Sequence, residues 1–326
     1  MRKKTGVNIR DIAKELNLNI STVSRALNRN FLISRATTEL VLCKAREMGY
    51  HPELTKKNIV ILLPPSYSRL EWYCLNMINS LQQKLSKTEY CWEFINDDKI
   101  DIVHERSVAG IISLDYTHSA AVDITRKYNL PLVCINNNSN HSDNVYSVNS
   151  DERSAIHEAF NCLHEHGHKN IAFIISSNTS YADKLRISAF EKSVEKYNLQ
   201  DRCKIIAADV KNIHGFILDL YHQGITGIIS DGESAGLRIW NSLNFCNIDI
   251  PRQMSLVAWE MPNVSALIKP AITTVAQNFE LIVEKAIYLL EAQIKNISVT
   301  TDIFVPYQLH MRNTVSIPRI NSCSEV

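Results

Sequence analysis

Long apolar runs are missing from this chain: nowhere do about 18 apolar residues follow one another, as a membrane-crossing helix requires. Glycine and proline are scarce, nine of each in 326 residues, so no long flexible linker is expected. The eight cysteines are scattered without a CxxC pair, which argues for free thiols in a reducing, cytoplasmic setting. No GxSxG elbow and no Gly-rich phosphate loop occurs, and no nucleophile–base pair is legible from spacing, so no enzyme activity and no cofactor are expected. Met1-Arg2-Lys3-Lys4 is followed by polar sequence where a secretory signal would be apolar, so no export signal is expected. A net charge of one sign is also lacking: 35 Lys+Arg stand against 34 Asp+Glu.

That balance hides an uneven distribution. Residues 1–57 hold twelve Lys/Arg against five Asp/Glu, a surplus of seven, and the remainder is acidic by six. A basic end on an acidic body points to one part of the chain meeting a polyanion. The length suits two or three domains.

The basic end reads as three short helices. Asn8 can cap a helix whose apolar residues Ile9, Ile12, Ala13 and Leu16 share one face. Asn17-Leu18-Asn19 breaks the pattern and suits a tight turn. A second helix is predicted from Ile20 to Asn28, with Val23, Ala26 and Leu27 as its inward stripe and Ser21 and Arg25 turned away. A third is predicted from Arg35 to Met48, capped by Ser34 and ended by Gly49. Two short helices at a tight turn, closed by a third, make a helix-turn-helix. A short polar residue near the start of the second helix allows close approach to base edges, and an arginine one turn later can fork onto guanine.

Val7 to Lys14, Ser21-Thr22-Val23-Ser24-Arg25-Ala26-Leu27-Asn28 and Ala45-Arg46-Glu47-Met48-Gly49-Tyr50-His51-Pro52 resemble the DNA-binding domain of the lactose/galactose repressor family. The resemblance implies base reading by Ile20, Ser21 and Arg25, with Thr22, Ser24 and Asn28 at phosphates. It departs at the linker. The family carries a hinge helix that wedges a leucine into the minor groove, whereas here strand-like Ile59–Leu63 begins seven residues after Pro52. The leucine position falls at Ile59, so Lys56 and Lys57 are the candidates for phosphate contact instead.

Beyond residue 58 apolar strands alternate with helical stretches, the pattern of parallel sheets covered on both faces. Strands are predicted at 59–63, 91–95, 110–114, 132–135, 145–148, 171–175, 203–207, 227–230 and 255–258, and helices at 71–86, 118–128, 151–166, 182–197, 212–222 and 232–243. The fold class expected is thus a small all-α helix-turn-helix domain followed by a two-lobed α/β periplasmic-binding-protein-like domain. The boundaries are 1–57 for the DNA-binding domain with its shortened hinge, 58–312 for the effector-binding and dimerisation domain, and 313–326 for a polar tail without leucine heptads, which implies a homodimer.

The resemblance runs on to about residue 312, through Ser107–Ser113, Leu130–Asn136, Glu165–Ile174, Ile250–Glu260 and Pro270–Gln277. It implies chain crossings between lobes near Asn149, near Met261–Ile268 and again before the last strands. It also implies an effector site for a small sugar. Arg186 matches the arginine that forks onto vicinal hydroxyls, Glu260 the acidic acceptor, and Trp259 a stacking surface. Asn149, Ser230, Asp231 and Gln277 complete that lobe's set, and Tyr67, Trp72 and Tyr73 stand in the first lobe, in a loop that looks most like repressors of galactosidase operons. The expected function is a sequence-specific transcriptional repressor, acting on a near-palindromic double-stranded operator and controlled by a saccharide. The rival is a family member that regulates without a sugar. Cys162, His164, His166 and His168 have the look of a metal cluster, but Cys162 to His166 fall on a predicted helix end, so no metal is expected.

Overall fold

The computed structural model describes residues 7–27, 32–50, 57–64, 72–105, 108–114, 119–136, 145–175, 181–207 and 213–318. The chain divides into two units, residues 1–149 with 279–303 and residues 150–278 with 304–326.

The first unit begins with α1 (Ile9–Glu15), α2 (Ile20–Leu27) and α3 (Arg35–Glu47). Asn8 caps α1 as a capping box: its side chain accepts from the Arg10 and Asp11 amides while Asp11 accepts from the Asn8 amide. Asn17 takes the left-handed conformation that ends α1, and Ser34 Oγ accepts the Thr37 amide to start α3. Ile12, Ala13, Val23, Ala26, Val41 and Ala45 bury together as the core of this small bundle.

Next come β1 (Lys57–Leu63), α4 (Trp72–Leu85), β2 (Tyr90–Asn96), a 3-10 segment over 97–105, β3 (Gly110–Ser113), α5 (Ser119–Tyr128), β4 (Leu132–Ile135) and β5 (Tyr146–Ser150). They form a sheet in the order β11-β5-β4-β3-β1-β2, parallel from β5 through β2, where β11 is Asp302–Val305. Both faces are covered, so β3 and β4 are buried at every residue.

The second unit contains α6 (Glu152–Glu165), β6 (Ile171–Ile175), α7 (Tyr181–Lys196), β7 (Lys204–Ala207), α8 (Ile213–His222), β8 (Gly227–Ser230), α9 (Glu233–Phe245), β9 (Ser255–Trp259), β10 (Thr273–Ala276) and β12 (Gln308–His310). Its sheet runs β12-β10-β9-β8-β6-β7, antiparallel at β10–β12 and parallel elsewhere. Phe160, Phe173 and Phe190 interlock on one face, and Ile174, Ile217, Ile228 and Leu256 fill the other.

All nine predicted strands are present, each within about two residues of its expected bounds. The predicted ranges omit β10, β11, β12 and the sixteen-residue α10 (Phe279–Ile294). In α10 apolar residues stand on more than one face, at Leu281, Ile282, Val283, Ala286, Ile287, Leu289, Leu290 and Ala292, which blurs the helical period. The second crossing between units also differs from expectation. It falls at Asn278–Phe279 and not at Met261–Ile268, which stays in the second unit as a loop closed by Ser265 Oγ on the Met261 amide.

Candidate functional site

On α2 the alternation of burial is complete. Val23 and Ala26 are buried at 0% exposure, which points Ser21 and Arg25 to solvent, and Ile20 at the helix start is 49% exposed. Thr22 and Ser24 are half-buried on its flanks. The packing of α2 against α1 and α3 fixes this face, because the two buried residues lie three apart on one stripe. The face carries a branched apolar group, a short hydroxyl and a guanidinium within two turns, a set able to meet a thymine methyl and a guanine edge. Asn28, Lys56 and Tyr67, with the side chain of Lys57, lie outside the described residues.

In the second unit a cluster forms at the carboxyl ends of the strands, where open α/β sheets bind ligands. Arg186 on α7 donates from Nε to Glu152 Oε2 at 2.6 Å and from Nη1 toward Asp231 Oδ2 at 3.4 Å. Its guanidinium carbon lies 5.0 Å from the centroid of the Trp259 ring. Tyr307 donates its hydroxyl to the other oxygen of Glu152 at 2.9 Å and meets Trp259 edge-on. Burial alone lowers the Arg186 pKa; Glu152, Tyr307 and Asp231 more than reverse this, so the guanidinium is held above its ordinary value. Burial first, then the Glu152 charge, pushes the Tyr307 phenol up, so it remains a proton donor. Trp259 Nε1 is buried without a hydrogen-bond partner among the described residues.

The other predicted residues of this unit are placed differently. Glu260 is bound internally: Arg312 Nη1 donates to its Oε2 at 2.8 Å, Thr274 Oγ1 donates to the same oxygen, and His310 Nδ1 lies 3.4 Å away. Ser230 Oγ also lacks a partner among the described residues, but it faces α9, where a Cβ built on Gly236 would lie 3.3 Å from it. Gln277 donates to Ser150 Oγ at 3.0 Å.

In the first unit Tyr73 accepts a hydrogen bond from Asn136 Nδ2 at 2.7 Å, and Asn136 holds a left-handed turn at the end of β4. Trp72, the first residue of α4, is 42% exposed. Asn149 is buried and donates to Ser147 Oγ, which donates to Asp302, so it is tied to the β5–β11 edge.

Sequence reasoning missed Glu152, Tyr307, Asn136 and Arg312. A usable signal existed for Glu152 alone. It follows the helix cap Asp151, so it sits in the first turn of α6, where a carboxylate is favoured. His164 and His166 are committed elsewhere, to a stack on Tyr197 and to the Cys162 carbonyl, and among the described residues no His/Cys/Asp/Glu cluster has metal-binding geometry.

Residues 8–53 match the model for bacterial regulatory proteins of the lacI family, and residues 160–315 match a periplasmic binding protein-like domain. The HTH-type transcriptional regulator pepR1 of Lactobacillus delbrueckii subsp. lactis is 25% identical over 301 residues, spanning 84% of this chain and 87% of its own. The HTH-type transcriptional repressor CytR of Escherichia coli is 22% identical over 313 residues, spanning 89% and 91%. Among solved structures, the transcriptional regulator CelR with cellobiose superposes with a TM-score of 0.68 at 17% identity, covering 95% of this chain and all of that one. The lac repressor dimer bound to operator and an anti-inducer gives 0.68 at 16%, covering 96% and 100%. At these identities the structures establish a shared fold. No helix among the described residues is long and apolar enough to cross a membrane.

Proposed function

We infer that this chain, which carries a lacI-family match at residues 8–53 and a periplasmic binding protein-like match at 160–315, is a lacI-family member and a sequence-specific DNA-binding transcriptional regulator that represses a carbohydrate-utilisation operon under control of a small saccharide. It acts in the cytoplasm as a homodimer on a near-palindromic operator. The observation that carries this reading is the face of α2: Val23 and Ala26 locked into the core leave Ile20, Ser21 and Arg25 exposed as base readers. Two such helices on a two-fold dimer would meet successive major grooves about 34–36 Å apart. The shared fold with a lac repressor dimer bound to operator supports that arrangement.

The saccharide reading is supported by Arg186 over Trp259 at the carboxyl end of the second sheet. Solved neighbours hold cellobiose and ribose in the same fold. A sugar that favours one arrangement of the protein weakens operator binding by the same factor by which operator weakens sugar binding. A swing from 1:99 to 99:1 needs about 5.5 kcal/mol of differential affinity. The test is binding of the purified chain to duplexes tiling its own upstream region: one duplex must be preferred over scrambled DNA, and equal binding to all at moderate salt refutes the reading.

One observation favours the rival, a regulator without a sugar. Arg186 and Glu260 are each satisfied by neighbouring side chains. Thermal shifts with cellobiose, ribose, galactose and lactose separate the two. A rise with any of them supports the saccharide reading, and no rise with all four supports the rival.

A further inference from the structure

The amino-terminal bundle is joined to β1 by only six residues, 51–56, which at full stretch span about 20 Å. A side chain of the bundle makes a long-range hydrogen bond across that joint. Arg46, in the last turn of α3, donates from Nη1 to the carbonyl of Tyr128 at 2.7 Å. Tyr128 is the last residue of α5, so its carbonyl is one of the orphan acceptors at the negative end of a helix. A guanidinium there makes a charge-assisted bond and meets a favourable dipole. Burial lowers the Arg46 pKa, yet an arginine stays charged, so the bond persists across physiological pH.

The place of contact matters. Tyr128 leads through Asn129, Leu130 and Pro131 into the start of β4, and Val108 and Ala109 precede β3. Arg46 therefore bears on the amino-terminal edge of the first sheet, the edge opposite the carboxyl ends. Beside it a cleft of about 970 Å³ lies open between Leu27, Leu42 and Tyr50 of the bundle and Val108, Leu130 and Pro131 of the sheet edge. The bundle meets the first sheet through Arg46 and through the contact of α3 with α5, beside this open cleft.

We propose that Arg46 is a strut that docks the DNA-binding bundle directly on the amino-terminal edge of the first sheet, doing by side chain what a longer linker would do by a helix. The docked state holds α2 at a fixed bearing on the sheet, so displacement of that edge moves the recognition face with it. This goes beyond the proposed regulation and does not depend on which ligand, if any, is bound.

The experiment is amide transverse relaxation by NMR on the full-length, DNA-free protein. With the strut in place, amides of residues 9–47 relax at the rate of the sheet amides, because both tumble as one body. In Arg46→Met the same amides relax at least about threefold more slowly, as those of a small domain moving on its own tether. Arg46→Lys, which keeps the stem, the charge and a donor, restores the common rate. Independent tumbling of the bundle in the wild-type protein overturns the proposal, and that measurement requires no variant to fold. A bundle that stays coupled in Arg46→Met overturns the role of Arg46. Bundle chemical shifts that stay dispersed in Arg46→Met and change only near the docked face show that undocking, and not unfolding, is being read.

Discussion

Arg186 and Glu152 form a buried ion pair, with Nε 2.6 Å from Oε2 and side chains 15% and 9% exposed. Tyr307 takes the second Glu152 oxygen and Asp231 approaches the second arm of the guanidinium. The arginine is therefore a structural cation as well as a candidate ligand donor. Two acidic groups buried at one strand end would repel each other without it.

This has a consequence for mutagenesis. Arg186→Ala leaves the buried Glu152 and Asp231 without their shared cation, and removal of one partner from such a pair costs about 3–5 kcal/mol. The expected result is a marked loss in urea stability of the second unit, not only a loss of ligand response. A variant as stable as wild type shows that the pair is solvated in solution.

Arg25→Ala acts at the other end of the molecule. Arg25 is exposed and projects from a helix held by Val23 and Ala26, so its removal leaves the bundle folded. A forked contact to guanine is worth about 1–3 kcal/mol of discrimination, and preference for the chosen duplex over scrambled DNA should fall accordingly, by about 5- to 150-fold. Because base readers add little to the salt slope, the slope of log K against log salt should stay close to wild type. Competition anisotropy at two salt concentrations checks both; an unchanged preference removes Arg25 from the base readers.

The residues that announced themselves in sequence are those whose role is local. Asn8 and Ser34 cap helices within four residues, and Val23 and Ala26 declare a buried stripe by their spacing, so the bundle was legible almost to the residue. The nine predicted strands are short apolar runs between polar helices, for the same reason. α10 was not legible because its apolar positions spread beyond one face. The candidate site was legible only in part. Arg186 and Trp259 stand in motifs, but the partner Tyr307 lies 155 residues from Glu152, and nothing near it in the chain signals that contact. Glu260 shows the converse. The motif marks it as a free acceptor, while Arg312, 52 residues on, occupies it.

His168 supplies a pH dependence. Its Nδ1 pairs with Thr226 Oγ1 and its Nε2 with the Ser316 carbonyl, each at 2.9 Å, so the ring joins β8's approach to the C-terminal segment. Burial, against a smaller opposing pull from the Ser316 carbonyl, lowers its pKa to about 4. A folded-state pKa below the unfolded value of about 6.5 means that the unfolded chain binds the extra proton first. The stabilisation is fully present above about pH 6.5 and is lost as pH falls toward 4, by up to about 3 kcal/mol. Urea melts at pH 7 and pH 4.5 should show a steeper acid loss in wild type than in His168→Asn; equal losses exclude His168 as the source.

Gly236 tests how tightly α9 sits on the second sheet. A Cβ at this position would lie 2.4 Å from the Ala258 Cβ, and neither atom is the end of a flexible chain. Only a shift of the helix or of β9 relieves the overlap. Gly236→Ala gains about 1 kcal/mol of helix propensity. Overpacking in a dense core costs about 1–3 kcal/mol, so the net change is a loss. The neighbouring Ser230 hydroxyl, 3.3 Å from the new methyl, leaves no alternative direction. Removing the opposing methyl should reverse the sign. Gly236→Ala combined with Ala258→Gly is expected to be more stable than the sum of the two single changes, a coupling that thermal melts of the four proteins read directly. Additive effects would mean that α9 stands farther from β9 than the close approach of Gly236 requires.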